Sequence, residues 1–151
     1  MATESAGSIR AMNRERITEA ILDGAREQIA SNGASGLSLR AIARELGMAS
    51  SAVYRYFPSR DDLLTQLIID AYDSLGAAAE RAHEAVADHD VATRFRAVIG
   101  SVREWALANQ HEYFLIYGTP VPGYRAPEDT VGPATRVPIL LLGLLVDIAG
   151  Q

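Results

Sequence analysis

Residues 39–57 read LRAIARELGMASSAVYRYF, and their pattern predicts two short helices joined by a tight turn. Gly47 stands at the proposed turn, where a residue without a Cβ can take a positive φ. The apolar positions on either side of it follow helical spacing: Leu39, Ile42, Ala43, Leu46, Val53, Tyr56 and Phe57. Small Ala43 permits two helices to approach closely. The pattern is that of a helix-turn-helix.

The second of these helices presents short or basic residues on its exposed side. They are Ser50, Ser51, Ala52 and Arg55. Short side chains let a helix approach base edges in the DNA major groove, and arginine pairs with guanine there. We therefore predict that these four residues contact bases. An ordinary helical hairpin has the same apolar spacing, with Gly47 as a C-cap, and the spacing alone leaves that alternative open.

The residues that follow favour the DNA-binding alternative. Residues 54–60, YRYFPSR, place two phenols, a proline and two guanidinium groups at the end of the second helix and just beyond it. Such groups suit contacts to phosphates, which fix the register of a protein on DNA. The residues that we predict to contact phosphates are Arg40, Tyr54, Tyr56 and Arg60.

Residues 21–64, ILDGAREQIASNGASGLSLRAIARELGMASSAVYRYFPSRDDLL, resemble the N-terminal DNA-binding domain of TetR-type transcriptional regulators. The resemblance includes the helix-one pattern, the NG turn, the IARELG turn and the YRYFPSRDDLL exit. Family members often carry Ser or Thr at the position of Ala49, as a cap on the recognition helix. We expect the cap to move to Ser50 in this chain. Lysine is common at the position of Arg60, where the positive charge is kept.

The resemblance implies an all-α fold and a ligand-responsive repressor. Residues 13–60 would form a three-helix DNA-binding domain with a helix-turn-helix, preceded by a flexible arm over residues 1–12. Residues 61–151 would form a helical ligand-binding and dimerisation domain, and residues 105–136 also resemble one class of C-terminal domain in these regulators. A homodimer would bind a palindromic operator in double-stranded DNA and leave it when a small apolar effector binds.

Family members usually continue with two more long helices, which pair with a second subunit. This chain stops at Gln151, so we expect a shortened form or a dimer that uses other surfaces. Two alternatives stay open. One is a helical small-molecule-binding protein, and the other is a truncated dimerisation partner without DNA binding of its own.

Apolar spacing and turn residues place the remaining helices. Helix one should run from about Asn13 to Ser31 and end at Asn32-Gly33, where a glycine suits the left-handed region. Later helices are expected over residues 60–87, 91–108, 111–117 and 138–151. The last of these is apolar on nearly every side, so we expect it to be buried all round, with Pro138 in its first turn.

Aromatic residues of the C-terminal part are candidates for a ligand pocket. Rings and a few hydroxyls are typical of sites for small apolar molecules. The predicted ligand-binding residues are Tyr72, Trp105, Tyr113, Phe114, Tyr117 and Tyr124. Aromatic residues also dominate ordinary cores, and that reading stays open for each of them.

Charge is distributed unevenly between the two parts. Residues 1–60 hold eight arginines against six acidic residues, a net charge of +2, whereas residues 61–151 hold six arginines against thirteen, a net charge of −7. The asymmetry fits a basic reading head on an acidic body.

Several functions lack the residues they need. The chain has no cysteine, and His83 and His89 have no third ligand at a regular spacing, so we expect no metal site. We find no nucleophile-base-acid set and no phosphate loop, which argues against an enzyme, and we expect no cofactor. The N-terminus lacks the apolar core of a signal peptide, and the apolar run 139–146 is too short to cross a bilayer. We therefore expect a cytoplasmic protein.

Overall fold

The structure is a computed structural model that describes the backbone of residues 2–150 and the side chains of residues 9–150. The described part is helical and contains no strand, which confirms the all-α prediction. Its seven α-helices are α1 (Ala2–Asn32), α2 (Leu39–Glu45), α3 (Ser50–Val53), α4 (Arg60–Glu84), α5 (Val91–Ala108), α6 (Gln110–Tyr117) and α7 (Val131–Ala149). Two short 3₁₀ helices lie at Ala34–Gly36 and Glu128–Thr130.

The chain divides into two compact units, Met1–Leu64 and Thr65–Gln151. We call them the N-terminal unit and the C-terminal unit. The division falls inside α4, about one turn beyond its first residue, Arg60. Met1 and Gln151, the ends of the expected arm and of the expected C-terminal domain, lie outside the described residues.

Helix α1 begins at Ala2, whereas the sequence predicted a helix from about Asn13 after a flexible arm. Residues 2–12 form its first turns. These residues contain three alanines and no proline, and alanine is the residue most favourable to helix. A helix that is already nucleated can extend through them because each added residue gains a hydrogen bond, although Gly7 costs about 1 kcal/mol relative to alanine.

The core of the N-terminal unit forms where α1, α2 and the region of α3 meet. Ile21, Ile42 and Val53, one from each helix, are fully buried. Burying a side chain of this size contributes about 1.5–3 kcal/mol. A Cβ at Gly24 would lie 3.4 Å from Cγ2 of Ile42, so α1 and α2 approach closely at this glycine.

The turn between α2 and α3 is fixed by backbone hydrogen bonds. Gly47 has φ 65°, which confirms the positive φ that the sequence predicted. The N–H of Gly47 donates to the carbonyl of Arg44 over 3.2 Å, and the N–H of Met48 donates to the carbonyl of Ala43 over 2.8 Å. This pair of bonds is a Schellman motif, which satisfies the last carbonyls of α2 and sets the direction in which α3 leaves.

The core of the C-terminal unit lies between α4, α5 and α7. Its buried members are Ala71, Leu75, Ala79, Val91, Val98, Trp105, Val137 and Leu144. Trp105 also donates from Nε1 to the hydroxyl of Ser74 over 2.9 Å, so α5 is joined to α4 by a polar bond as well as by packing. A buried indole N–H needs such an acceptor.

Arg136 links α7 to α4 through two carboxylates. Its guanidinium donates to Asp73 Oδ1 over 2.8 Å and to both oxygens of Glu80, at 2.9 Å and 2.6 Å. The side chain passes directly over Gly76, where an added Cβ would lie 2.7 Å from Nε of Arg136. A glycine in the middle of α4 therefore makes room for the arginine.

Helix α7 differs from its prediction in both start and burial. It begins at Val131, so Pro138 lies inside the helix rather than in its first turn. Proline has no N–H, so the carbonyl of Ala134 loses the hydrogen bond that the helix would otherwise supply. The helix is also not buried all round. Leu144 is 2% exposed, whereas Leu142 is 59% exposed and Val146 70% exposed.

Helix α7 therefore carries more apolar side chains than the rest of the C-terminal unit buries. Val137 and Leu144 face the core, and the residues Ile139, Leu142, Leu145, Val146 and Ile148 are exposed; we call these five residues the open face of α7. By length and composition alone, Glu128–Ala149 is long and apolar enough to cross a bilayer, unlike the shorter run considered from the sequence. That finding is weak evidence for a membrane, since one side of this helix packs against α5.

Candidate nucleic-acid interface and ligand cavity

Helix α3 is shorter than predicted and continues as tighter turns. Only Ser50–Val53 is α-helical, and the chain then advances by bonds from the N–H of Arg55 to the carbonyl of Ala52 (3.3 Å) and from Tyr56 to Val53 (2.9 Å). The N-cap is Ala49, with no side-chain hydrogen bond, so the expectation that Ser50 takes over the cap is wrong. Ser50 is already helical and cannot accept as an N-cap does.

The predicted base-reading residues differ in exposure. Ser50, Ser51 and Arg55 are exposed, and Ala52 is half-buried. Val53 is fully buried, so the side of α3 that carries Val53 packs against the core, and the side that carries Ser50 and Ser51 faces solvent. The exposed side of α3 therefore carries two short hydroxyl residues, and the turn after it adds the guanidinium of Arg55. These groups can hydrogen-bond base edges and phosphates.

The start of α2 is held by two polar side chains, one of which the sequence analysis missed. Ser38 caps the helix by accepting from the N–H of Ala41 over 3.3 Å. Gln28, a buried residue of α1, accepts from the N–H of Ser38 over 2.9 Å. The sequence signal that could have indicated this role is the position of Gln28, a polar residue that falls on the same helix face as the buried residues Ile21, Ala25 and Ile29. Gln28 thus fixes the position of α2 against α1.

The predicted phosphate contacts fall into two groups. Arg40 in the first turn of α2 and Tyr54 just after α3 are exposed. Arg60 is half-buried, and its Nη2 donates to the carbonyl of Ala34 over 2.9 Å. Arg60 is thus engaged inside the N-terminal unit, where it fixes the start of α4, although a guanidinium has further N–H groups to offer.

Tyr56, the fourth predicted phosphate contact, has a partner that the sequence analysis did not find. Cζ of Arg14 lies 5.1 Å from the centroid of the Tyr56 ring. This distance is within the range of a cation-π interaction. Arg14 comes from α1 and is exposed, and Tyr56 is half-buried.

A cavity of about 430 Å³ lies in the C-terminal unit. The volume is within the range of pockets that hold drug-sized molecules. It is lined by Ile68, Tyr72, Leu115, Ile116, Gly118, Thr119, Pro120, Val121, Tyr124, Ala126, Thr130, Val131, Ala134 and Thr135. None of these side chains is charged, and the hydroxyls of the tyrosines and threonines are the side-chain polar groups.

Two tyrosines connect the cavity wall to its surroundings. The hydroxyl of Tyr72, on α4, donates to the carbonyl of Ile116 over 3.2 Å. The hydroxyls of Tyr124 and Thr65 lie 2.9 Å apart and share a hydrogen bond. Burial raises the pKa of Tyr72, so its phenol stays neutral in the physiological range. The first bond joins α4 to α6, and the second joins α4 to the loop after α6.

The other four predicted ligand residues do not line this cavity. Trp105 is 7% exposed in the core, and Tyr113 packs partly buried against that core. Phe114 is 64% exposed, and Tyr117 is also exposed. The Tyr117 ring stands edge-on to Tyr72 with centroids 5.9 Å apart, so it supports the cavity wall from outside. Among the described residues, no group of three or more His, Asp or Glu could hold a metal ion.

The comparisons with known proteins match both units. The family model described as "Bacterial regulatory proteins, tetR family" matches residues 21–67, and the model described as "Tetracyclin repressor-like, C-terminal domain" matches residues 95–151. The chain belongs to the TetR family. The resemblance that the sequence predicted is confirmed, and with it the assignment of the N-terminal unit to a family of helix-turn-helix regulators.

Two curated mycobacterial proteins are relatives of this chain. The HTH-type transcriptional regulator Rv1816 of Mycobacterium tuberculosis is 50% identical over 125 residues, which are 82% of this chain and 53% of the relative. The HTH-type transcriptional repressor LfrR of Mycolicibacterium smegmatis is 39% identical over 87 residues, which are 58% of this chain and 45% of the relative. The chain thus spans about half the length of the curated relatives it matches.

A solved structure agrees with these relatives. The crystal structure of the regulatory protein SCO4313 is 46% identical, with a TM-score of 0.74, and the match covers 84% of this chain and 60% of that chain. The TetR-family fold therefore extends through both units of the described chain.

Proposed function

We propose that this TetR-family chain is a DNA-binding transcriptional regulator, a repressor released from its operator by a small apolar effector. The observation that carries the proposal is the helix-turn-helix of the N-terminal unit, which exposes Ser50 and Ser51 on α3 and Arg55 in the turn that follows it. Family membership supports DNA binding, and the LfrR relative, which is named a repressor, supports repression.

Base reading is assigned to Ser50, Ser51, Ala52 and Arg55. Arg55 carries the strongest single contact, because a guanidinium can bond two acceptors of guanine at once. Arg40, Tyr54, Tyr56 and Arg60 hold phosphates on either side. Two copies of the chain would place their α3 helices in successive major grooves about 34 Å apart, which fits a homodimer on a palindromic operator. This homodimer would act in the cytoplasm.

Effector binding is assigned to the uncharged cavity of the C-terminal unit. Its lining favours a neutral, largely apolar molecule that exchanges hydrogen bonds with hydroxyls such as those of Tyr72 and Tyr124. Helix α4 contributes Ile68 and Tyr72 to the wall and begins at Arg60 in the N-terminal unit. An effector that shifts α4 would change the spacing of the two reading heads, so DNA and effector would oppose each other reciprocally.

The DNA-binding proposal is tested by fluorescence-anisotropy titration of the chain with the duplex flanking its own gene and with a scrambled duplex of equal length. Tight, salt-sensitive binding that prefers the first duplex, with two protomers per site, supports the proposal. Binding to neither duplex at low salt contradicts it and favours the small-molecule-binding alternative.

The division of labour among arginines is tested in the same assay. Arg55→Ala should weaken binding to the preferred duplex by about 1–3 kcal/mol and reduce sequence preference. Arg40→Ala should weaken binding to both duplexes alike, because a phosphate contact carries no sequence information. Equal losses on both duplexes for both variants would contradict the assignment of base reading to Arg55.

The cavity is tested by filling it. Compounds that release the labelled duplex are first found by screening neutral aromatic molecules with the anisotropy signal. Ala134→Phe, which projects into the cavity, should abolish release while leaving duplex binding unchanged. Ala92→Phe on the exposed side of α5 is the matched control and should respond like the unaltered chain. Release that persists in Ala134→Phe would place the effector elsewhere.

A further inference from the structure

The side of α1 that builds the core becomes basic where the helix extends beyond that core. Residues three, four and seven apart share one face of an α-helix, so Arg10, Arg14, Ile17 and Ile21 lie in one row. Ile21 is fully buried, whereas Arg10 and Arg14 are exposed. At 1.5 Å per residue, Arg14 lies about 10 Å along the axis from Ile21. Arg10 and Arg14 therefore lie on the same face of α1 as Ile21, but beyond the buried core of the N-terminal unit.

The contact with Tyr56 fixes where the guanidinium of Arg14 lies. Its Cζ is 5.1 Å from the ring centroid, and Tyr56 belongs to the turn that follows α3. A guanidinium has five N–H donors, and a contact with the face of a ring leaves N–H groups free to donate to other acceptors. The Tyr56 ring carries no negative charge, so the positive charge of Arg14 is not neutralised by this contact. Arg14 therefore places a positive charge next to the turn that follows α3.

Two other arginines of the N-terminal unit, Arg26 and Arg60, bond to groups within that unit. Arg26 bonds the carboxylates of Glu19 and Asp23, and Arg60 donates to the carbonyl of Ala34. The charge of Arg26 is thereby largely compensated within α1. Arg14 differs, since its recorded contact is with an aromatic ring rather than with a carboxylate.

We propose that Arg14 and Tyr56 form a joint phosphate-binding pair that grips the DNA backbone beside α3. The inference rests on the proposed function. The guanidinium edge donates to one or two phosphate oxygens, and the Tyr56 hydroxyl adds a neutral donor to the same group. Because the pair joins α1 to the turn after α3, a phosphate bound there fixes the angle at which α3 enters the groove.

The test measures duplex affinity against salt for Arg14 variants of the full chain. The probes are the labelled duplex flanking the chain's own gene and the scrambled duplex. Arg14→Ala should weaken binding about tenfold on both, the loss expected for a charged hydrogen bond. The slope of log K against log salt should fall by about 0.9 for each protomer.

Arg16→Ala is the matched control. Arg16 lies on α1 two residues from Arg14, is exposed, and points to a different side of the helix. This variant removes the same charge from the same helix and should leave both affinities and the salt slope near their original values. Arg14→Lys should restore the salt slope, because lysine carries the same positive charge. It should restore only part of the affinity, because lysine lacks the planar guanidinium that can donate two hydrogen bonds to one phosphate.

The link to Tyr56 is tested by a double-mutant cycle. Arg14→Ala should cost less in a Tyr56→Ala background than in the unaltered chain, because the guanidinium is no longer held in place. Tyr56→Phe keeps the ring and should preserve most of the effect of Arg14. Circular dichroism establishes that each variant is folded, and Tyr56→Leu, which removes the ring but keeps an apolar side chain, carries the comparison if the Ala variant does not fold.

The outcomes separate this inference from the proposed function. If the unaltered chain binds the duplex and Arg14→Ala loses no more affinity or salt slope than Arg16→Ala, the phosphate-binding pair is overturned and DNA binding stands. If the unaltered chain binds neither duplex, the proposed function fails and the pair fails with it.

Discussion

The two units differ in how they place their polar and apolar groups. In the N-terminal unit the ends of short helices are held by specific polar bonds, such as Gln28 to Ser38 and the Schellman motif at Gly47. In the C-terminal unit α7 leaves six large apolar side chains exposed, the five of its open face and Val131, while its one arginine is held by two carboxylates.

This difference shows what each unit must fix. A helix-turn-helix of the kind proposed to bind DNA needs a defined angle between α2 and α3. Hydrogen bonds define such an angle better than apolar contacts, because apolar contacts have no preferred direction. The open face of α7 exposes five large apolar side chains on one helix, and apolar groups in contact with water gain free energy when another surface covers them.

The largest expected effect tests whether α7 has two different sides. Leu144→Ala should lower the free energy of unfolding by about 2–5 kcal/mol, because it leaves a cavity in the core. Leu142→Ala on the open face should change it by less than about 0.5 kcal/mol. Urea unfolding followed by circular dichroism measures both. An equal loss in the two variants, increasing with protein concentration, would show that the open face is covered by a second copy in solution.

A smaller effect is expected for the polar link between α4 and α7. Arg136→Gln should lower the free energy of unfolding by about 1–3 kcal/mol, because charged hydrogen bonds to Asp73 and Glu80 are lost from a partly exposed site. Arg103→Gln on the exposed side of α5 is the control and should stay within about 0.5 kcal/mol. A loss no larger than that of the control would mean that solvent screens the link completely.

The same link predicts a pH dependence. The hydrogen bond from Arg136 holds the pKa of Glu80 below its ordinary value of 4.5. A carboxyl with a lowered folded-state pKa stabilises the fold above its unfolded-state pKa, and this contribution disappears as the pH falls through the folded-state value. The difference in unfolding free energy between the unaltered chain and Glu80→Gln should therefore be constant near neutral pH and shrink below about pH 4.5. A difference that does not change with pH would contradict the ion pair.

The smallest expected effect lies in the N-terminal unit, at its least satisfied helix end. Ala49 has φ −65° and ψ 141°, a geometry suited to an N-cap, but its side chain cannot accept. Ala49→Ser should raise the free energy of unfolding by about 1 kcal/mol. Ser38→Ala, which removes the existing cap of α2, should lower it by a similar amount. An unchanged stability in Ala49→Ser would show that water already satisfies these N–H groups.

Much of the fold was predictable because local signals and packing agree in it. Gly47 and the apolar spacing gave the helix-turn-helix, and α5 has the predicted bounds Val91–Ala108. The final helix was mispredicted because composition reports how apolar a helix is, and not which of its sides a partner covers. The start of α7 at Val131 was missed because Pro138 was interpreted as a first-turn residue.

The candidate sites were less predictable than the fold. Tyr72 and Tyr124 line the cavity, but the sequence could not separate them from Trp105 and Phe114, which are equally aromatic and differ only in where packing places them. The contact between Arg14 and Tyr56 joins residues far apart in the chain. No local pattern reports such a distance.

The residue allowed at position 76 of α4 depends on the residue at position 136 of α7, because the two are in contact. Replacing a mid-helix glycine by alanine ordinarily favours the helix by about 1 kcal/mol. At position 76 a methyl group would push against Arg136 and break its bonds, so the usual gain should turn into a loss as long as the arginine is present. Positions 76 and 136 should therefore be exchanged together among homologous sequences, with alanine tolerated at the first once a small residue occupies the second.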